Sequence, residues 1–144
     1  MHVSDLLSFL VTGNPYPDRE RAEVRNELSF TEAIEGHAAW RQCLIDTAFG
    51  TAKAPMKCME VCDEKGCLLG RWIAGPGERR YGDLPSFAQL KARHKRFHDI
   101  ACDILELATA GRKDEAKRLV EGEFMEISTE IADRMRRLQS LFEG

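Results

Sequence analysis

Asp83-Leu84-Pro85-Ser86-Phe87-Ala88-Gln89-Leu90-Lys91-Ala92-Arg93-His94-Lys95-Arg96-Phe97-His98 opens a stretch with no further proline or glycine before Gly111. A capping residue followed by proline in the first turn is a helix-start signal. The ring fixes φ near the helical value, and its missing N–H would have had no intrahelical partner. Phe87, Leu90, Phe97, Ala101, Ile104 or Leu105, and Ala108 then recur at helical spacing, which predicts a helix to about Ala110, stopped by Gly111. His94 and His98 fall on this apolar stripe. Four residues apart, they share one helix face about one turn from each other, and neutral imidazole is the commonest protein metal ligand.

The neighbouring segments read the same way. From Asp18 to about Phe49 the pattern predicts one helix, with Asp18 as cap and Glu20 and Glu23 near the positive end of its dipole. Val24, Leu28, Ile34, His37, Trp40 and Leu44 form its inward stripe. A last helix is expected from about Lys113 to Leu141. Ala116, Leu119 or Val120, Phe124, Ile127, Ile131, Met135 and Leu138 face inward, and Glu123, Glu130, Arg134 and Arg137 face solvent. Between these, Gly50 to Tyr81 holds five glycines, two prolines and three cysteines. It reads as a loop over Thr51–Cys58 and one short helix near Leu69–Ala74, ended by Gly75-Pro76-Gly77. No strand-like alternation of useful length occurs, so the fold class is all-α: a four-helix-bundle-like domain with one short helix. Residues 1–17, with Leu6, Leu7, Phe9, Leu10 and Val11 ahead of Gly13-Asn14-Pro15-Tyr16-Pro17, read as a short N-terminal arm on a domain spanning 18–144.

Composition narrows the function. The chain has 144 residues, 43% hydrophobic and 31% charged, with a formal net charge of −3. That suits one globular domain with a single core and gives no reason to expect a nucleic-acid partner. The absence of a long apolar run or a convincing signal peptide argues against a membrane partner. Five cysteines, an odd number, without an export signal point to a reducing compartment, hence a cytoplasmic location.

Three of the four histidines, His37, His94 and His98, thus lie on core-facing stripes. A buried imidazole without partners costs about 1–3 kcal/mol per unsatisfied group. One shared metal ion would satisfy all three. A fourth ligand is suggested by Gly66-Cys67-Leu68-Leu69-Gly70-Arg71-Trp72.

Taken in order, His37-Ala38-Ala39-Trp40, Cys67-Leu68-Leu69-Gly70-Arg71-Trp72 and His94-Lys95-Arg96-Phe97-His98 resemble the signature of the chemoreceptor zinc-binding (CZB) domain family. That pattern is a histidine with a following aromatic, then Cys-x-aliphatic-Gly-x-aromatic, then His-x-x-x-His. Leu84-Pro85 ahead of the histidine pair is similar to the N-terminal domain of zinc-regulated diguanylate cyclases. The resemblance covers roughly Asp18 to Gly144 and implies a helical bundle with His37, Cys67, His94 and His98 as zinc ligands. Such a donor set suits Zn2+ independently, because imidazole and thiolate favour zinc over magnesium or calcium. A closed set leaves no position for substrate, so the expectation is a sensor or structural site and not an enzyme. Around it, Trp40 and Trp72 either wall the site or simply pack in the core, Gly70 lets the backbone turn after Cys67, and Asp99 or Glu35 could orient an imidazole. Cys67 is expected to be the movable ligand, since it alone sits on the irregular connection. Cys58 and Cys62 could replace it or pair with it, and Cys102 lies one turn beyond His98.

The family resemblance further implies homodimerisation and control of a separate signalling protein, a chemoreceptor or diguanylate cyclase, because no signalling coiled coil or cyclase domain is recognisable in the sequence. Three rival readings exist. A structural-zinc interaction module or zinc buffer fits the same ligands. A hemerythrin-like diiron bundle needs more ligands, and Arg41 stands where a carboxylate four residues after His37 would help. A zinc hydrolase would place glutamate directly after His94, where this chain has Lys95.

Overall fold

A computed structural model describes residues 16–51 and 66–143, and the described residues form an all-α bundle. The elements are α1 (Asp18–Glu27), α2 (Phe30–Ala48), α3 (Leu68–Ala74), α4 (Pro76–Tyr81), α5 (Pro85–Thr109), α6 (Lys113–Leu119), a π-type turn (Val120–Phe124) and α7 (Met125–Glu143). The long helices α2, α5 and α7 pack on one another, and α1 lies along α7.

The single helix expected from Asp18 to Phe49 is instead two. Leu28 and Ser29 are extended, and the Ser29 side chain accepts the Glu32 N–H at 3.2 Å. Ser29-Phe30-Thr31-Glu32 has the serine and glutamate spacing of a capping box, a start signal inside an otherwise helical pattern. The Glu143 carboxylate completes the cap, accepting from Phe30 N at 2.7 Å and Thr31 Oγ1 at 2.9 Å. Breaking the chain here turns Phe30 fully inward, where its ring stacks on Phe142.

Two further expectations are corrected. Gly75 does end α3, but Pro76 then starts α4, as proline readily does at a first helical position. Gly77 makes that second helix possible: a Cβ there would sit 2.8 Å from Trp72 Cε3 and 3.0 Å from Phe87 Cε2. The last helix is interrupted at Gly122, whose φ of −101° and ψ of −112° are not helical. The wider turn keeps Ala116, Val120 and Phe124 on one buried face before Ile127, Ile131 and Met135 continue it.

The α5 stripe is buried as expected from Phe87 to Ala108, with both Ile104 and Leu105 inside. Phe30, Phe97, Phe124 and Phe142 are the largest fully enclosed side chains of the core. Glu123 faces out to Arg96 at 2.8 Å, whereas Glu130 and Arg134, expected to face solvent, are half-buried and pair at 3.1 Å. Exposed pairs such as the first contribute little stability. Of the N-terminal arm, Tyr16 and Pro17 are described. Tyr16 packs on Phe142 and Tyr81, and Arg21 and Arg25 of α1 donate to the Leu141 and Phe142 carbonyls at 2.9 and 2.7 Å. Residues 1–15 lie outside the described residues, as does nearly all of the expected Thr51–Cys58 loop. Among the described residues no helix is long and apolar enough to cross a membrane.

Candidate metal centre

Cys67 stands at the N-cap of α3, its side chain accepting the Gly70 N–H at 3.2 Å. This capping bond aims the sulfur across the gap to α5. Cys67 Sγ lies 3.1 Å from His94 Nε2 and 3.9 Å from His98 Nε2. The donor atoms of the three residues all fall within 4.8 Å of one another. Both imidazoles are at most 3% exposed, on the inward face of α5, while the cysteine is half-buried.

A cavity of about 210 Å³ adjoins this cluster, lined by His37, Trp40, Cys67, His94, Phe97 and His98 among others. The four expected ligands therefore share one chamber, but they are not equally assembled. His37 contributes no atom to the three-residue cluster. Its Nε2 lies 3.0 Å from Ser128 Oγ on α7, and that oxygen also accepts an N–H from Arg41 at 2.8 Å. The His37 ring packs at 4.7 Å on Phe97, and Trp40 meets His98 edge-on at 4.8 Å.

Trp40 thus walls the chamber, whereas Trp72 does not. The Trp72 indole is buried in a separate apolar cavity with Tyr81 and Phe87, and its N–H donates to Glu27 at 3.2 Å. Its role is core packing. Asp99 faces out toward Lys95 at 3.5 Å and Glu35 is exposed, so the expected carboxylate support for the imidazoles is not formed. Cys43 and Cys67 are free thiols, whereas Cys102 is disulfide-bonded, which runs against the expectation of thiols in a reducing compartment, and offers no thiolate. Cys58 and Cys62 lie outside the described residues. The partners that sequence reasoning missed are Ser128 and Arg41. Ser128 had a signal, being a polar residue on the buried line between Phe124 and Ile131.

The chamber's electrostatics follow from burial. Desolvation, reinforced by His98 and His37, holds His94 down at about 3. Desolvation together with Arg41 and His98 holds His37 at about 4. Burial also pushes the Cys67 thiol up, against the Gly70 N–H and Arg71. Near neutrality the metal-free chamber therefore holds His37 and His94 as neutral imidazoles and Cys67 as a protonated thiol.

A pH dependence follows from the two histidines. Their folded values lie below the unfolded value of 6.5, so the unfolded chain binds more protons and stability rises with pH. Stability is complete above about pH 6.5 and falls as pH drops toward the folded values of about 4 and about 3. The slope is on the order of 1.4 kcal/mol per pH unit for each histidine. Urea midpoints of the metal-free protein are expected to fall steeply between pH 7 and pH 5, and less steeply in His94→Gln. Equal midpoints at both pH values would contradict this account.

Comparison with known protein families adds one finding: residues 37–105 match the model of the chemoreceptor zinc-binding domain. The matched stretch contains His37, Cys67, His94 and His98. No curated protein and no solved structure matches the chain.

Proposed function

We propose, for a chain whose residues 37–105 carry a chemoreceptor zinc-binding domain, that the protein is a zinc-responsive regulatory module rather than an enzyme. One observation carries this reading: the donor atoms of Cys67, His94 and His98 converge within 4.8 Å inside the bundle. A thiolate with imidazoles is a zinc donor set. His37, lining the same chamber, is the fourth ligand, and the closed set leaves no coordination position for substrate.

Bound zinc would supply a cross-link between α2, α3 and α5, elements distant in sequence. The histidines ride on long packed helices, whereas Cys67 caps a helix of only seven residues. Loss of the sulfur, by zinc release or by oxidation of the thiolate to sulfenic acid by hypochlorous acid, which transfers its oxygen and leaves as chloride, frees α3 while the bundle stays folded. Occupancy is read by a separate signalling partner, a chemoreceptor or a diguanylate cyclase, in chemotaxis or cyclic-di-GMP control, with the module acting as a homodimer in the cytoplasm. The competing reading is a structural zinc or a zinc buffer.

A zinc-binding isotherm of wild type and Cys67→Ala tests the site, and hydrogen exchange of the stripped protein separates the readings. A sensor stays folded without metal and changes protection over α3. A structural-zinc domain melts throughout. If Cys67→Ala leaves zinc affinity and α3 protection unchanged, the switch is wrong.

Proton release gives an independent check. His37 and His94 are already neutral near pH 7 and the Cys67 thiol is protonated, so it is the thiol that must lose a proton on metal binding. Calorimetry in buffers of different ionisation enthalpy is expected to show about one proton more released per zinc by wild type than by Cys67→Ala.

A further inference from the structure

Ser128 is wholly buried on α7, flanked along its face by Phe124, Ile127, Ile131 and Met135. Its oxygen accepts an N–H from Arg41 at 2.8 Å and lies 3.0 Å from His37 Nε2. A hydroxyl already accepting from a guanidinium can still give its proton or accept once more. If it gives the proton, the Nε2 lone pair is occupied. If it accepts, Nε2 carries a proton. In both tautomers that nitrogen is engaged with Ser128 and unavailable to a metal. The other three donors, meanwhile, already stand together without His37.

We propose that Ser128, backed by Arg41, is a latch that holds His37 out of the metal cluster until zinc draws it in. The proposal rests on the reading of His37 as fourth ligand. Filling the site exchanges the His37–Ser128 hydrogen bond for a metal bond, and Arg41 remains to partner the buried serine oxygen. The exchange therefore leaves the serine oxygen with a donor, although Arg41 cannot accept the hydroxyl proton. It also has a direction. His37 is on α2 and Ser128 on α7, so zinc binding releases a tie between two long helices, and α7 lies beyond the family match that ends at residue 105. By linkage, whatever free energy the latch contributes to the metal-free state is subtracted from zinc affinity.

Ser128 and Arg41 are positioning residues, and the test uses the full chain. Histidine-15N NMR of the wild type is expected to show His37 Nε2 hydrogen-bonded without metal and shifted to a metal-bound value on zinc addition. Ser128→Ala is expected to bind zinc about tenfold more tightly, the equivalent of one net hydrogen bond, and to lack the hydrogen-bonded Nε2 signal in the metal-free state. Cobalt loading monitors the site separately through its thiolate charge-transfer band. If that band forms while His37 Nε2 does not move, the latch is wrong and a metal site without His37 stands. If Ser128→Ala binds zinc more weakly, Ser128 supports the bound histidine from behind, and the latch is again overturned. Absence of any cobalt–thiolate band overturns the metal reading itself, and the latch with it. Should Ser128→Ala fail to fold, the wild-type spectra still decide.

Discussion

Replacing His94 with alanine is expected to lower zinc affinity by well over a hundredfold while leaving the bundle folded. Residues that merely support a ligand give about 10–100-fold on mutation, and His94 is the donor nearest the cysteine sulfur, at 3.1 Å. Cys67 cannot compensate, because a thiolate beside a single remaining α5 imidazole has lost the helix-spaced pair that grips the ion from one face. The fold survives because His94 is enclosed by packing rather than anchored by ion pairs, and its burial opposes protonation instead of stabilising a charge. The variant should even gain relative stability in acid, where the wild type must protonate a buried imidazole. Competition with a chromophoric chelator measures the first effect, and urea unfolding at pH 5 the second. Affinity within a few-fold of wild type would remove His94 from the site.

Phe97→Ala is expected to produce the largest loss of stability, about 3–5 kcal/mol. The side chain is 1% exposed and stacks on Phe124 at 4.8 Å between ring centroids. It also packs on His37 at 4.7 Å and Trp40 at 5.4 Å, so the ring is at once a core residue and part of the wall of the chamber beside Cys67, His94 and His98. At roughly 2–4 °C per kcal/mol for a chain of this size, the melting temperature should fall by about 10 °C. Zinc affinity should fall too, since the ring that orients His37 is gone. Phe97→Leu keeps most of the volume and is expected to lose well under half as much. Equal melting temperatures for Phe97→Ala and wild type would show that the contact with Phe124 is not stabilising.

These two residues, three apart on α5, show why so much was legible beforehand. A helix started by Pro85 and stopped by Gly111 repeats its inward face by backbone geometry alone, so burial of His94, Phe97 and His98 follows from spacing. The same holds for Cys67, whose setting in Cys67-Leu68-Leu69-Gly70 carries both a helix start and a family signature. Less legible were the breaks. Ser29 and Pro76 each carry a start signal, but Ser29 interrupts a stripe that reads as continuous, and Pro76 sits where a stop was expected. Gly122 is one glycine in a strong helical pattern, and only the packing of Phe124 against Phe97 shows why the turn widens there.

The sequence by itself determined the all-α class, the inward face of α5 and the residues that line one chamber, because these depend on local periodicity and on donor chemistry. The face α2 buries, by contrast, is Phe30, Ala33, Leu44 and Ala48, with the expected Ile34, His37 and Trp40 half-buried. Only the tertiary structure decided how those donors stand. It brings the Cys67 sulfur onto His94 and His98, moves Trp72 away into a neighbouring cavity, and ties His37 to Ser128 and Arg41. Those outcomes depend on the distances between α2, α5 and α7, and no spacing along a single helix encodes how closely another helix approaches it.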